Sequence, residues 1–327
     1  MAIRETNLDA TLRPARARGH PPCFSPYFKR YRRVTAPTRR TLPPLFSRYF
    51  NGYLGVTALT AALLCAWSAT AADWSTVTTP SPGPPQSIGF YTAGCLQGAQ
   101  PLPLDGPGYE AIRISRNRYW GQPVMLEYIQ ALADKMKSAG QAQLYIGDIG
   151  QPRGGPAPTG HASHQIGLDA DIWFERQPGA RLAPADRENP RLRSLVRATD
   201  DGIDDEVFGQ AHVALLRTAA EMPHVDRIFV NKWIKQRLCQ TVTGNRGWLN
   251  KLVVWVGHDE HFHVRLHCPP GNPQCQPQAG YYADDGRGEP LDIWFTRPPV
   301  KLPPEGTPQK PYRPKLPAAC SAVLNAP

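Results

Sequence analysis

Any fold of this chain has to account for two short segments: Gly160-His-Ala-Ser-His-Gln-Ile-Gly-Leu-Asp-Ala-Asp171 and, far downstream, His258-Asp-Glu-His-Phe-His263. Five of the nine histidines fall inside them. A neutral imidazole is a good metal ligand and its pKa lies near working pH, so this crowding points to metal or proton chemistry rather than packing. In a strand, residues two apart share a face, so His261 and His263 project together, with Arg265 and His267 following. The gap from His164 to Asp171 lets a residue at a loop edge and one inside the next strand converge, and Asp169 and Asp171 share a strand face. Two His and one carboxylate with an open fourth position form the donor set of a catalytic Zn2+ site. Singly, each pair has a plainer reading: His-x-His as surface decoration or a packed pair, His164 with Asp171 as a structural hydrogen bond. Their co-occurrence favours one centre.

The net charge of +10 does not indicate nucleic acid as a partner, because residues 1–50 hold eleven Lys and Arg against Glu5 and Asp9 and the rest is close to neutral. After Arg48 come an apolar stretch and the small-residue run Ser68-Ala-Thr-Ala-Ala72. A basic flank, a short apolar core and an Ala-x-Ala-type end read as a secretory signal peptide over 1–72, removed with no stable membrane insertion afterwards; an uncleaved anchor is the alternative. Export permits disulfides. Cys95, Cys239, Cys268, Cys275 and Cys320 then remain, an odd count, with Cys268 and Cys275 placed to close a small ring.

Residues 73–87 read as an extended entry segment and 88–297 as the folded body. The pattern predicts strands near 110–114, 143–147, 165–174, 227–230 and 261–267, and helices over 125–138, 207–220 and 232–238. Residues 248–256 are ambiguous. From 298 to 327 the chain is Pro-rich and reads as an extended tail without a core pattern. Together these elements make one mixed α and β domain with a tail.

The runs from Gly160 to Trp173, Arg227 to Cys239 and His258 to Pro269 resemble the penicillin-insensitive murein endopeptidases, relatives of lysostaphin-type enzymes, D-Ala-D-Ala peptidases and hedgehog-type domains. The resemblance implies an α+β fold, with a central antiparallel sheet, flanking helices and long loops around a zinc site. It implies one catalytic Zn2+ held by His164, Asp171 and His263, with His258 and His261 as the proton-handling histidines and His261 the first choice of base. His161 and Asp201 resemble further metal-contacting positions, and Asp204 stands where the family has a histidine; these three define a candidate auxiliary metal site, with a solvated acidic loop as the alternative for Asp201 and Asp204. Glu260 matches a catalytic Glu of D-Ala-D-Ala peptidases, but strand alternation turns it away from His261 and His263. The family's disulfides carry over as Cys95–Cys320 and Cys268–Cys275. Cys239 would be free, since its expected partner position near Arg287 has no cysteine.

The activity implied is that of a periplasmic D,D-endopeptidase acting on cross-linked peptidoglycan, at the bond between D-Ala and meso-diaminopimelate; a homodimer is left open. The alternatives are a D,D-carboxypeptidase or dipeptidase, which would want an Arg such as Arg153 or Arg265 for a terminal carboxylate, and a zinc-bearing module that only binds cell wall.

Overall fold

The computed structural model describes residues 73–159, 161–175, 181–280, 282, 284–298 and 312–327. The leader read over 1–72 lies outside them. In chain order the strands are β1 (Gln86–Phe90), β2 (Ala93–Gln97), β3 (Gln100–Pro101), β4 (Asp105–Gly106), β5 (Tyr109–Ala111), β6 (Trp120–Gly121), β7 (Leu144–Ile146), β8 (Asp169–Trp173), β9 (Val225–Val230), β10 (Leu252–Val254) and β11 (His261–Leu266). The helices are α1 (Pro123–Ser138), α2 (Pro184–Glu188), α3 (Gln210–Glu221), α4 (Lys232–Thr241), α5 (Glu289–Thr296) and α6 (Ala319–Leu324). None of the described helices is long and apolar enough to cross a membrane.

A seven-stranded sheet runs in the order β10-β9-β11-β8-β7-β5-β4. Its centre, β9-β11-β8-β7, is antiparallel, as expected, while β10 joins β9 and β5 joins β7 in parallel. Strand alternation divides the two faces. Ala170, Ile172, Phe262 and Val264 enter the main core with Met125, Ile129 and Leu132 of α1 and Leu215 and Leu216 of α3. Asp169, Asp171, His261, His263 and Arg265 occupy the alternate positions, so one face of β8 and β11 is packed and the other carries chemistry.

Local sequence explains the main helices. Proline occupies the first turn of α1, where its missing N–H costs nothing, and the Asn231 side chain caps α4 by accepting from Trp233 N. The ambiguous 248–256 region resolves into a 3-10 turn over Gly247–Lys251 followed by β10.

The tail differs from expectation. Residues 319–324 form α6, whose Cys320 and Val323 are buried with Ile88 and Cys95 in a small second core. Cys95–Cys320 is bonded, as is Cys268–Cys275, and Cys239 is a free buried thiol. The Arg153 guanidinium supplies the second anchor, donating to the carbonyls of Val323, Leu324 and Ala326 and to an oxygen of Pro327 at 2.6 to 3.1 Å. A buried cation saturating the orphan carbonyls at a helix end does the work of a C-cap, which sequence periodicity does not reveal.

The Cys95–Cys320 bridge spans 225 residues, a long loop whose closure restricts the unfolded chain. Replacing both with serine is expected to cost about 2–5 kcal/mol, read as a lowered denaturation midpoint in urea. A loss under about 1 kcal/mol would show that Arg153 and the small core hold the tail alone.

Candidate metal centre

The register of β8 against β11 builds the site. Arg265 faces Asp169, His263 faces Asp171 and His261 faces Trp173 across the ladder. Directly opposed residues on one face lie close enough for side-chain contact. The Arg265 guanidinium donates to both oxygens of Asp169, at 2.7 and 3.2 Å, and stacks 4.1 Å over the Tyr91 ring. Asp169 Oδ2 also accepts from His164 N at 3.1 Å, holding His164 in a left-handed backbone conformation at φ 66°. That ties the loop segment to the strand that carries the second carboxylate.

His164 and Asp171 are arranged as ligands. His164 Nδ1 is 2.8 Å from the Ile149 carbonyl, which directs its lone pair to Nε2, 3.4 Å from Asp171 Oδ1. Both His164 Nε2 and Asp171 Oδ1 are buried without a hydrogen-bond partner. Buried polar atoms are rarely left unmatched, so two of them facing each other fit a cation between them. His161, His164 and Asp171 each offer a ligand atom, all within 4.8 Å of one another. His161, placed by sequence at an auxiliary position, therefore sits inside the main cluster. His263 lies outside that three-residue group but approaches the same carboxylate, with Nδ1 3.3 Å from Asp171 Oδ1 and Nε2 2.9 Å from Asp169 Oδ1.

His261 Nε2 is 3.7 Å from Asp171 Oδ1, and its buried Nδ1 has no partner. The His258 ring lies 5.1 Å from that of His261, with Nδ1 2.9 Å from the Val256 carbonyl. His258 is also held at positive φ, 56°, so two of the five histidines occupy a backbone conformation that non-glycine residues seldom adopt. Burial opposes ionisation of Asp171, but His164, His261 and His161 outweigh it and hold the carboxyl well below its usual range. Burial pushes His261 down to about 4, against the pull of Asp171, and together with His261 and His263 it holds His258 well below the ordinary value. Both are neutral at pH 7. His263 is moved the other way, because Asp169 and Asp171 outweigh its burial.

Not every expected residue reaches the cluster. Asp201 Oδ1 accepts from Arg197 Nε at 2.8 Å and Thr199 Oγ1 at 2.7 Å, and Asp204 Oδ1 accepts from Glu206 N. Asp204 lines a cleft of about 940 Å³ beside Lys232 and Trp255. Among the described residues, neither belongs to the group able to hold an ion. Local pairing within an acidic loop accounts for both. His267 also leaves the expected face: the pairing with β9 shifts register between Arg265 and Leu266, β11 ends there, and His267 Nδ1 lies 3.3 Å from Asp226. Arg153 and Arg265 are committed to the chain terminus and Asp169, so neither is free to hold a substrate carboxylate. Glu260 precedes β11, and its carbonyl accepts from Phe174 N.

Two residues to which the sequence reading gave no role support the site. Asp148, buried after β7, lies 3.4 Å from His161 Nε2 and pairs with Arg118 and Arg116 at 2.8 and 3.3 Å. Asp169 was placed on the right face but given no partner. Its folded carboxyl lies far below its unfolded value, since Arg265 and His263 outweigh the burial that would raise it. Its stabilisation is therefore complete above pH 4 and fades as pH falls below that value. Asp169→Asn is expected to cost about 3–5 kcal/mol near pH 7, by stranding the Arg265 charge, and the gap from wild type should narrow below pH 4 in urea titrations. A gap independent of pH would count against a charge-based role.

Residues 87–325 match a family model described as penicillin-insensitive murein endopeptidase. Curated relatives carry the same description. One from Haemophilus influenzae is 43% identical over 264 residues, covering 79% of this chain and 90% of that protein. One from Klebsiella pneumoniae is 40% identical over 267 residues, covering 82% and 96%. One from Escherichia coli K12 is 38% identical over the same length, again covering 82% and 96%. Matched over most of its length by both kinds of comparison, the chain belongs to the penicillin-insensitive murein endopeptidase family.

Proposed function

We propose that this protein is an exported, periplasmic zinc D,D-endopeptidase that hydrolyses the cross-link between D-Ala and meso-diaminopimelate in peptidoglycan. The observation that carries this reading is the pair of unmatched buried atoms, His164 Nε2 and Asp171 Oδ1, facing each other among further imidazoles. His164 and Asp171 would hold the catalytic Zn2+ together with His263, which meets the same Asp171 oxygen, and His161 would stand on the more exposed side, where Asp148 lies beside its ring. A bound zinc supplies Lewis acidity and lowers the pKa of water, which is the chemistry amide hydrolysis needs.

The protein's own groups supply the rest. His261 is neutral and its buried Nδ1 is uncommitted, so its ring can take a proton during attack and return it to the leaving amine. The Val256 carbonyl fixes the His258 tautomer, which leaves Nε2 as an acceptor beside His261. Asp169 orients His263 from behind, and Trp173, donating from Nε1 to the Gly147 carbonyl at 2.6 Å, walls the His261 side. No serine nucleophile takes part, so β-lactams, which acylate serine, leave the activity intact.

Purified protein incubated with dimeric muropeptides is expected to release monomers, to lose that activity with a chelator and to regain it with Zn2+. Trimming of monomers alone would favour a carboxypeptidase, and inertness of metal-loaded protein would favour a binding module. His261→Ala is expected to lower kcat by about 10²–10⁴ with zinc content unchanged, whereas His164→Ala should lose the metal itself. Full activity in His261→Ala would remove it from proton transfer.

A further inference from the structure

One cation beside the centre has no ion pair among the described residues. Arg116 and Arg118 are committed to Asp148, and Arg265 to Asp169. The Arg113 guanidinium, by contrast, enters no ion pair and no side-chain hydrogen bond among the described residues, and rests 4.5 Å over the Trp173 ring. That indole is 4.7 Å from the His261 ring. Burial and Arg116 act against the charge on Arg113; the anions that favour it, Asp148, Glu260 and Asp171, belong to the centre or adjoin it. Arg113 also sits in the left-handed region, at φ 54°, with its backbone N–H held by the Arg187 carbonyl at 2.7 Å. Such backbone conformations persist where surrounding structure enforces them, and they concentrate at functional sites. A half-buried guanidinium stacked on an aromatic ring, with no counter-anion, suits a planar carboxylate ligand.

We propose that Arg113 binds the carboxylate on the carbon that bears the leaving amine of the cross-link. This rests on the murein endopeptidase reading. In a D-Ala to meso-diaminopimelate link, the scissile nitrogen sits on the D-centre of diaminopimelate, and the same carbon carries a free carboxylate. Held by Arg113 against Trp173, that carboxylate would bring the attached nitrogen toward His261, which returns the proton to it. A link between two diaminopimelate residues differs on the acyl side but has the same amine side. A receptor for the amine-side carboxylate therefore admits both link types and disfavours amides whose amine carbon bears no anion.

The test uses the zinc-loaded full-length protein and two dimeric muropeptides, one with that carboxylate free and one with it converted to the carboxamide. Wild type is expected to favour the free carboxylate by at least about tenfold in kcat/KM, mostly through KM, as loss of a hydrogen bond between charged groups implies. Arg113→Asn, chosen because asparagine tolerates left-handed backbone, should bring the ratio near one, and Arg113→Lys should keep part of it. A wild-type ratio near one overturns the assignment. So does an unchanged ratio in folded, zinc-replete Arg113→Asn. Should Arg113→Asn fail to fold, the wild-type ratio and its reduction in Arg113→Lys decide the matter. Cleavage of both dimers at equal rates defeats only the Arg113 assignment, whereas cleavage of neither defeats the endopeptidase reading beneath it.

Discussion

The buried pairing of Asp169 with Arg265 is the interaction on which the centre depends. It joins β8 to β11 on the chemical face, and the same carboxylate reaches His263 Nε2 and the His164 backbone. A one-residue slip between these strands would turn the whole set of polar side chains into the core. Ala170, Ile172, Phe262 and Val264 forbid that slip, because they are completely buried on the opposite face. Packing on one face thus specifies chemistry on the other, and the two histidine segments meet as a consequence of sheet register.

The loop that carries His161 and His164 is braced from its far side. Arg153 and His164 sit on the stretch between β7 and β8, and Arg153 is bound to the last residues of the chain while Gly154 and Gly155 pack against the backbone around Gln165. Gly154 needs its positive φ of 62° there, and a Cβ at that position would fall 2.0 Å from the Gln165 carbonyl oxygen. The terminal residues and their disulfide therefore belong to the support of the site, although a Pro-rich composition suggested an extended tail. An isolated six-residue helix has little stability of its own, so its order depends on these tertiary anchors, which local patterning does not encode.

What could be read in the sequence was local. Alternation in His261-Phe262-His263 and in Asp169-Ala170-Asp171 revealed which residues share a face, and helical spacing revealed α1, because such periodicities reflect neighbours in the chain. Asp148, Arg113 and the fate of Arg153 were not legible, since their partners lie far along the chain: Asp148 meets His161 across the loop that follows β7, and Arg113 meets Trp173 from the turn that follows β5. At Asp201 and Asp204 the sequence left two readings open, a metal site and a solvated acidic loop, for the opposite reason. Asp201 pairs with Arg197 and Asp204 accepts from the Glu206 backbone, both a few residues away, and an acidic loop looks the same in sequence whether it faces an ion or solvent.

The three buried aspartates around the histidine cluster, Asp148, Asp169 and Asp171, show why Asp171 is the one that calls for a metal. Asp148 is balanced by Arg116 and Arg118, and Asp169 by Arg265. Asp171, 1% exposed, has no Lys or Arg ion pair among the described residues; four imidazoles surround it at 3.3 to 3.7 Å. A buried carboxylate without a compensating cation is costly, so one of those rings must be protonated or an external cation must be present. Protonating several rings at once is opposed by their mutual repulsion, with ring centroids 4.5 Å apart in two successive pairs. A single divalent cation would satisfy the carboxylate and the imidazole lone pairs together, without requiring any of the rings to be charged.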